Sequence, residues 1–190
     1  SKDPVNLPTG NFIYEQKLLK QQGRNPLFFT LFYNSADDGR RCLGSCGWTH
    51  NHHFFLVPDS KQVTVTLGDG REEVYLLRDG SYRNTFGSTT SRLCQSDTGY
   101  LYIDEAETTY TFDESGMLLA KRELHGSETS YTYDQQYRLS QVNTDTGGRL
   151  LLTYDEQGRI AEVTDQTGRT ITLTYENSCL TKVTDEAGHP

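Results

Sequence analysis

Thr109-Tyr110-Thr111-Phe112-Asp113, Ser130-Tyr131-Thr132-Tyr133-Asp134, Leu151-Leu152-Thr153-Tyr154-Asp155 and Thr172-Leu173-Thr174-Tyr175-Glu176 are four versions of one segment. Their aromatic anchors stand at 112, 133, 154 and 175, so the same spacing of 21 residues occurs three times. A fixed period of this length marks one supersecondary unit repeated along the chain. Ile171, Leu173 and Tyr175 alternate with Thr170, Thr172 and Thr174, the period-two pattern of a strand with one buried face.

Each repeat also holds two turn signals, as in Asp155-Glu156-Gln157-Gly158-Arg159 and Asp165-Gln166-Thr167-Gly168-Arg169. The Asp side chain can accept a backbone N–H of its own turn, and Gly tolerates positive φ. Gly116 and Gly158 fill this slot, whereas Tyr137 occupies it in the second copy. A repeat is therefore two short strands and two tight turns. On the return strand Ile160 and Val163 lie three apart, which breaks the alternation and predicts a β-bulge. One hairpin cannot bury its own apolar face, so successive hairpins must pair into a growing sheet. No helix-period segment between them covers that sheet, and accumulating twist curls it. The expected fold is all-β: tandem hairpins in a curled single-layer sheet, part of a hollow shell.

Working outward, residues 27–34 read Leu-Phe-Phe-Thr-Leu-Phe-Tyr-Asn, apolar on both faces. Such a strand wants cover on both sides, and Phe54–Val57 form a second apolar run. Residues 1–60 are expected to make a compact β-rich unit packed by Phe29, Leu31, Phe32, Trp48 and Phe54. Asp69-Gly70 and Asp79-Gly80 read as hairpin turns, so 61–107 is a linking β-meander and 108–190 holds the repeats.

The formal charge of −8 and a pI near 5.1 argue against a nucleic-acid partner. No apolar run approaches the roughly 18 residues of a membrane span, and Ser1-Lys2-Asp3-Pro4 has no apolar core of a signal peptide. The stop at His189-Pro190, inside a repeat, reads as the cut end of a longer chain, whose last strand would fray or pair edge to edge with a second copy.

The repeat motifs, read as Tyr131-Thr132-Tyr133-Asp134 and as Tyr154-Asp155 followed by Gly158-Arg159, resemble those of the Rhs, or YD-repeat, proteins. The front agrees: Pro4, Gly10, Asn34 and Gly47-Trp48-Thr49-His50 resemble the region that precedes the repeats in bacterial Rhs toxins. This resemblance implies a secreted or cell-surface polymorphic-toxin protein of interbacterial competition. It further implies repeats that wind into a hollow shell around a C-terminal toxin absent from this chain, with the N-terminal region plugging or starting that shell.

Several side-chain patterns invite other chemistry. Cys42, Cys46, His50 and His52 include zinc-ligand types, but only half of the usual structural spacing is met. A local disulfide or two free thiols suit the same cysteines. Gly44-Ser45-Cys46-Gly47-Trp48 is one residue out of step with a papain-type nucleophile signature. The recurring acids Asp113, Asp134, Asp155 and Glu176 suit turn caps better than a calcium ladder or a glycosidase pair. The sequence therefore predicts no catalytic residue and no cofactor. The partners that the resemblance implies are the toxin cargo of the full-length chain and neighbouring repeats. The alternative is a carbohydrate- or cell-surface-binding module in which Tyr131 and Tyr154 stack on sugar rings.

Overall fold

A computed structural model of the chain describes residues 5–6, 11–21, 24–35, 43–85 and 90–185. Pro4, Gly10 and Cys42, and the terminal stretch 186–190, lie outside the described residues.

Among the described residues there are 18 strands and no helix. A first sheet contains β1 (Val5–Asn6), β2 (Asn11–Lys20), β3 (Phe28–Asn34) and β4 (Trp48–His50). A second contains β5 (Phe55–Pro58), β6 (Gln62–Thr66), β7 (Glu72–Arg78) and β8 (Ser81–Asn84). The third is a ten-stranded meander of β9 (Arg92–Ser96), β10 (Gly99–Ile103), β11 (Thr109–Phe112), β12 (Leu118–Arg122), β13 (Glu128–Tyr133), β14 (Leu139–Thr144), β15 (Arg149–Tyr154), β16 (Ile160–Asp165), β17 (Thr170–Glu176) and β18 (Cys179–Thr184). Its strands pair antiparallel in strict chain order, with β9 and β18 at its two edges. The regular repeats share this sheet with β9 and β10, which precede residue 108.

The alternation decides which side chains go inside. On β17 Ile171 and Leu173 are buried while Thr172 and Thr174 are exposed. Thr129 and Tyr131 on β13, and Leu150 and Leu152 on β15, repeat the pattern. Four register shifts fall at equivalent places, between Thr111/Phe112, Thr132/Tyr133, Thr153/Tyr154 and Thr174/Tyr175. Tyr154 faces Ile160 and Thr153 faces Glu162, so Ala161 is the extra residue. The bulge expected near Ile160–Val163 is thus a standing feature of every repeat. In two copies its hydroxyl bonds across: Ser140 to the Thr132 carbonyl and Thr181 to the Thr174 carbonyl.

The ten strands form one layer, and the cover that the repeats lack comes from the N-terminal strands. Val142, Leu150, Ile160 and Val163 are wholly buried, in one core with Leu27, Phe29, Leu31 and Leu43. Polar ties fix the overlay. Gln21 Nε2 donates to the Arg149 carbonyl, Asn25 Nδ2 to Asp145 Oδ1, and Arg169 to the Lys20 carbonyl. Further along, Phe54 stacks on Tyr110 with ring centroids 4.4 Å apart, and Leu56 N–H donates to the Gly116 carbonyl.

Two packing expectations are corrected. Phe29, Leu31 and Phe54 are core residues, but Phe32 and Trp48 are only half-buried. Trp48 packs against Tyr33 and Tyr14 at 5.0 and 6.4 Å, half-buried at the border of the core. The cysteine reading also changes. Cys46 is joined to Cys179 across 133 residues, so the disulfide is not local, and Cys94 is a free thiol.

Candidate functional site

The turn after each anchor is a self-contained polar unit. Asp155 Oδ1 accepts the N–H groups of Gln157 and Arg159, while Oδ2 accepts Arg159 Nε at 2.7 Å. Asp134 holds Gln136 and Arg138 in the same way. Asp165 holds Thr167 and Arg169, and Asp113 takes Ser115 and Met117. Burial alone would raise the Asp134 and Asp155 carboxyls. The N–H donors and the Arg guanidinium outweigh it and hold both below their usual range. These oxygens are engaged within their own turns, which is the cap chemistry and leaves little for a metal ladder. Gly116 and Gly158 take the left-handed backbone that the turn needs, and Tyr137 is forced into it at φ 60°.

The anchors form a second periodic device. Tyr133, Tyr154 and Tyr175 donate their hydroxyls to the carbonyls of Leu118, Leu139 and Ile160, each on the preceding strand. All three rings lean on the core from the covered face, with Phe112 fully buried in the first copy. Arg138 lies 4.4 Å over the Tyr154 ring and Arg159 4.4 Å over the Tyr175 ring. The guanidinium that closes one turn therefore also caps the next anchor, a cation–π contact between successive repeats. Sequence reading missed this pairing, although Asp followed four residues later by Arg, in Asp134–Arg138, Asp155–Arg159 and Asp165–Arg169, was its visible signal.

The front motif meets at the β3–β4 pairing. Tyr33 faces Trp48 and Leu31 faces His50, and Asn34 N–H donates to the Gly47 carbonyl. His50 is 1% exposed and His52 7%. Phe29 lies 5.2 Å from the His50 ring and 6.4 Å from that of His52. His52 Nε2 is 2.7 Å from the Phe28 carbonyl, which can only accept, so Nε2 carries the proton. His52 Nδ1 is left buried without a partner. Burial pushes His52 down to about 4, helped by the Lys121 charge and opposed by the Phe28 bond. Burial, then His53 and His52, push His50 well below its ordinary value. Both imidazoles are neutral at pH 7. With Cys46 in the disulfide, the four-residue zinc set loses one of its sulfurs, and among the described residues no three His, Cys, Asp or Glu side chains converge.

Two cavities flank this junction. One, of about 450 Å³, lies where the three sheets meet and is lined by His52, Phe54, Arg71, Tyr102, Lys121 and Tyr131 among others. The other, of about 340 Å³, is lined by His53, Phe55, Met117, Tyr133, Tyr137 and Tyr154 among others. A third hollow, of about 510 Å³, opens beside β18 between Phe12, Tyr14, Tyr33, Cys46, Trp48 and Leu180. No helix among the described residues is long and apolar enough to cross a membrane.

Comparison with known proteins agrees with the repeat geometry. Residues 2–75 match a family described as Domain of unknown function (DUF6531), and residues 154–190 match the RHS Repeat family. No curated protein matches the chain. Among solved structures, a chain of the crystal structure of TcdB2-TccC3-Cdc42 aligns at 16% identity and a TM-score of 0.36, over 93% of this chain. The alignment spans only 12% of that longer chain. The 21-residue hairpins with their Asp turns and Tyr anchors, together with the two family matches, make this chain a member of the Rhs/YD-repeat family.

Proposed function

We propose that this chain is a wall segment of an Rhs shell that helps to enclose a C-terminal toxin, with no catalytic step of its own. The observation that carries the reading is the use made of the periodic side chains. Asp134 and Asp155 close their own turns, Tyr154 and Tyr175 clamp the preceding strand, and Arg138 and Arg159 bridge successive repeats. These carboxylates, hydroxyls and guanidiniums are engaged in closing turns and in joining one hairpin to the next, as a wall requires. The N-terminal strands lie over the covered face of that wall, a place suited to a plug. The Cys46–Cys179 disulfide supports an oxidising setting outside the cytoplasm, secreted or at the cell surface.

The carbohydrate alternative needs exposed tyrosine faces. Tyr131 is 8% exposed and one face of the Tyr154 ring lies under Arg138, which counts against the row of exposed sugar platforms expected from the sequence. Limited proteolysis of the full-length protein tests the shell reading. Its C-terminal region should resist protease while the repeats are folded and become cleavable when mild denaturant opens them. Equal cleavage in both states would count against enclosure.

A further inference from the structure

The cavity of about 450 Å³ where the three sheets meet is lined by none of the Asp, Tyr and Arg groups that join one hairpin to the next. Its walls come from every part of the fold: Phe32 and Phe54 from the N-terminal strands and the stretch after them, Glu73 from β7, and Tyr102, Tyr110 and Tyr131 from the repeat sheet. Its volume lies in the range of roughly 300–1,000 Å³ that small-molecule sites occupy.

The polar lining is unevenly satisfied. Four carboxylates, Asp69, Glu73, Asp104 and Glu105, stand against two cations, Arg71 and Lys121. Both cations are already engaged: Arg71 Nε donates to Asp69 Oδ2 at 2.7 Å, and Lys121 Nζ donates to Glu123 Oε1 at 2.9 Å. Asp104 is filled by the N–H groups of Ala106 and Thr108 and by the Tyr110 hydroxyl. Glu73 takes Tyr75, Asn84 and Ser91 all on Oε2, which leaves Oε1 open. Glu105, exposed at the mouth, has no partner among the described residues. Deeper in, Tyr131 is 92% buried, and its hydroxyl has no hydrogen-bond partner among the described residues. The His52 ring lies 5.9 Å from that of Tyr131, and its Nδ1, an acceptor because Nε2 carries the proton, is likewise unpartnered. Donors in this lining are spent and acceptors are left over. The rings add to the same preference, since Phe54, Tyr102 and Tyr110 lie within 5.7 Å of one another and an aromatic face attracts a cation.

We propose that this cavity binds a small organic cation, an alkyl- or arylammonium ion, which donates its N–H groups to the Tyr131 hydroxyl and to the open oxygens of Glu73 and Glu105 and lays its carbon body against the aromatic wall. The same group comes either as a free amine or as a lysine side chain of another polypeptide. The proposal stands apart from the wall reading, which rests on the periodic contacts and is untouched by either result below.

Titration of the isotope-labelled 190-residue chain with benzylammonium chloride, followed by NMR, tests it. Saturable shifts centred on Tyr131 and on the His52 ring nitrogens are expected. Benzyl alcohol should bind at least tenfold more weakly, and benzoate should not bind. Tyr131→Phe keeps the ring and should weaken benzylammonium about threefold, the worth of one hydrogen bond. Glu105→Gln, at an exposed position, should weaken it about twofold. Lys121→Gln removes a like charge and should tighten it about threefold. Butylammonium and Nα-acetyl-lysine methylamide separate the two sources: tighter binding of the first assigns the site to a free amine, and of the second to a lysine side chain. Absence of saturable shifts at Tyr131, binding of benzoate as tight as that of benzylammonium, or weaker cation binding in Lys121→Gln would overturn the proposal. So would unchanged affinity in both Tyr131→Phe and Glu105→Gln, since the cation would then sit elsewhere.

Discussion

Acidification should loosen the joint between the N-terminal strands and the repeats before it touches the rest of the fold. His52 is neutral and buried, held down to about 4 by burial. In the unfolded chain it returns to about 6.5. The unfolded state therefore takes up a proton in a range where the folded state refuses it. Stability is fully present above pH 6.5 and is lost as pH falls toward 4. The full shift amounts to about 3 kcal/mol, of which about 2 kcal/mol is already lost at pH 5. His50 is shifted the same way and adds to the loss. The carboxylates act lower: Asp134, Asp155 and Asp165 have depressed folded values, so their contribution is lost only below the ordinary carboxylate range. Urea unfolding followed by Trp48 emission at pH 7.5, 6 and 5 measures the effect. His52→Gln keeps a donor for the Phe28 carbonyl without a titrating group. Its stability should fall by about 2 kcal/mol less than that of the parent over this range. A midpoint that is flat between pH 7.5 and 5, or an equal decline in the variant, would refute the reasoning.

Three further outcomes follow from the same contacts. Tyr137→Gly should stabilise the chain by about 1 kcal/mol in thermal unfolding, because an exposed side chain is held there at φ 60°. Tyr154→Phe removes a donor from the Leu139 carbonyl and should cost about 1 kcal/mol in urea unfolding, with the ring still under Arg138. Cys179→Ser, or reduction of the parent, opens a link across 133 residues and should cost about 3–5 kcal/mol. Hydrogen exchange should then rise first around Leu43–Trp48, where Ser45 N–H bonds the Ser178 carbonyl.

Much of the wall is legible in the sequence, because period two along a strand and period 21 along the chain are local facts. Ile171, Leu173 and Tyr175 announce their face, Asp155 announces its turn, and Ile160 with Val163 announces the bulge. What the pattern cannot say is which other strand meets that face. Leu31 and Val163 are each recognisable as buried, yet nothing local pairs them. For the same reason Cys46 points no more to Cys179 than to Cys42 or Cys94. Trp48 illustrates the limit in another way. It pairs with residues 27–34, a strand apolar on both faces, which suggests a closed core, yet Trp48 itself is only half-buried at the border of that core. The histidines read as metal ligands because their spacing is visible and their burial is not. The Arg–Tyr contact joins residues 16 apart on neighbouring strands, a distance that becomes short only once the register is fixed.

Electron cryomicroscopy of the full-length protein that carries this chain tests the central claim most directly. The account predicts that β9–β18 continue without a break into further hairpins of one curved wall, with residues 11–58 on its inner face and density for the C-terminal region enclosed. A repeat sheet that ends at β18 and leaves the C-terminal region outside, or N-terminal strands detached from the wall, would contradict it.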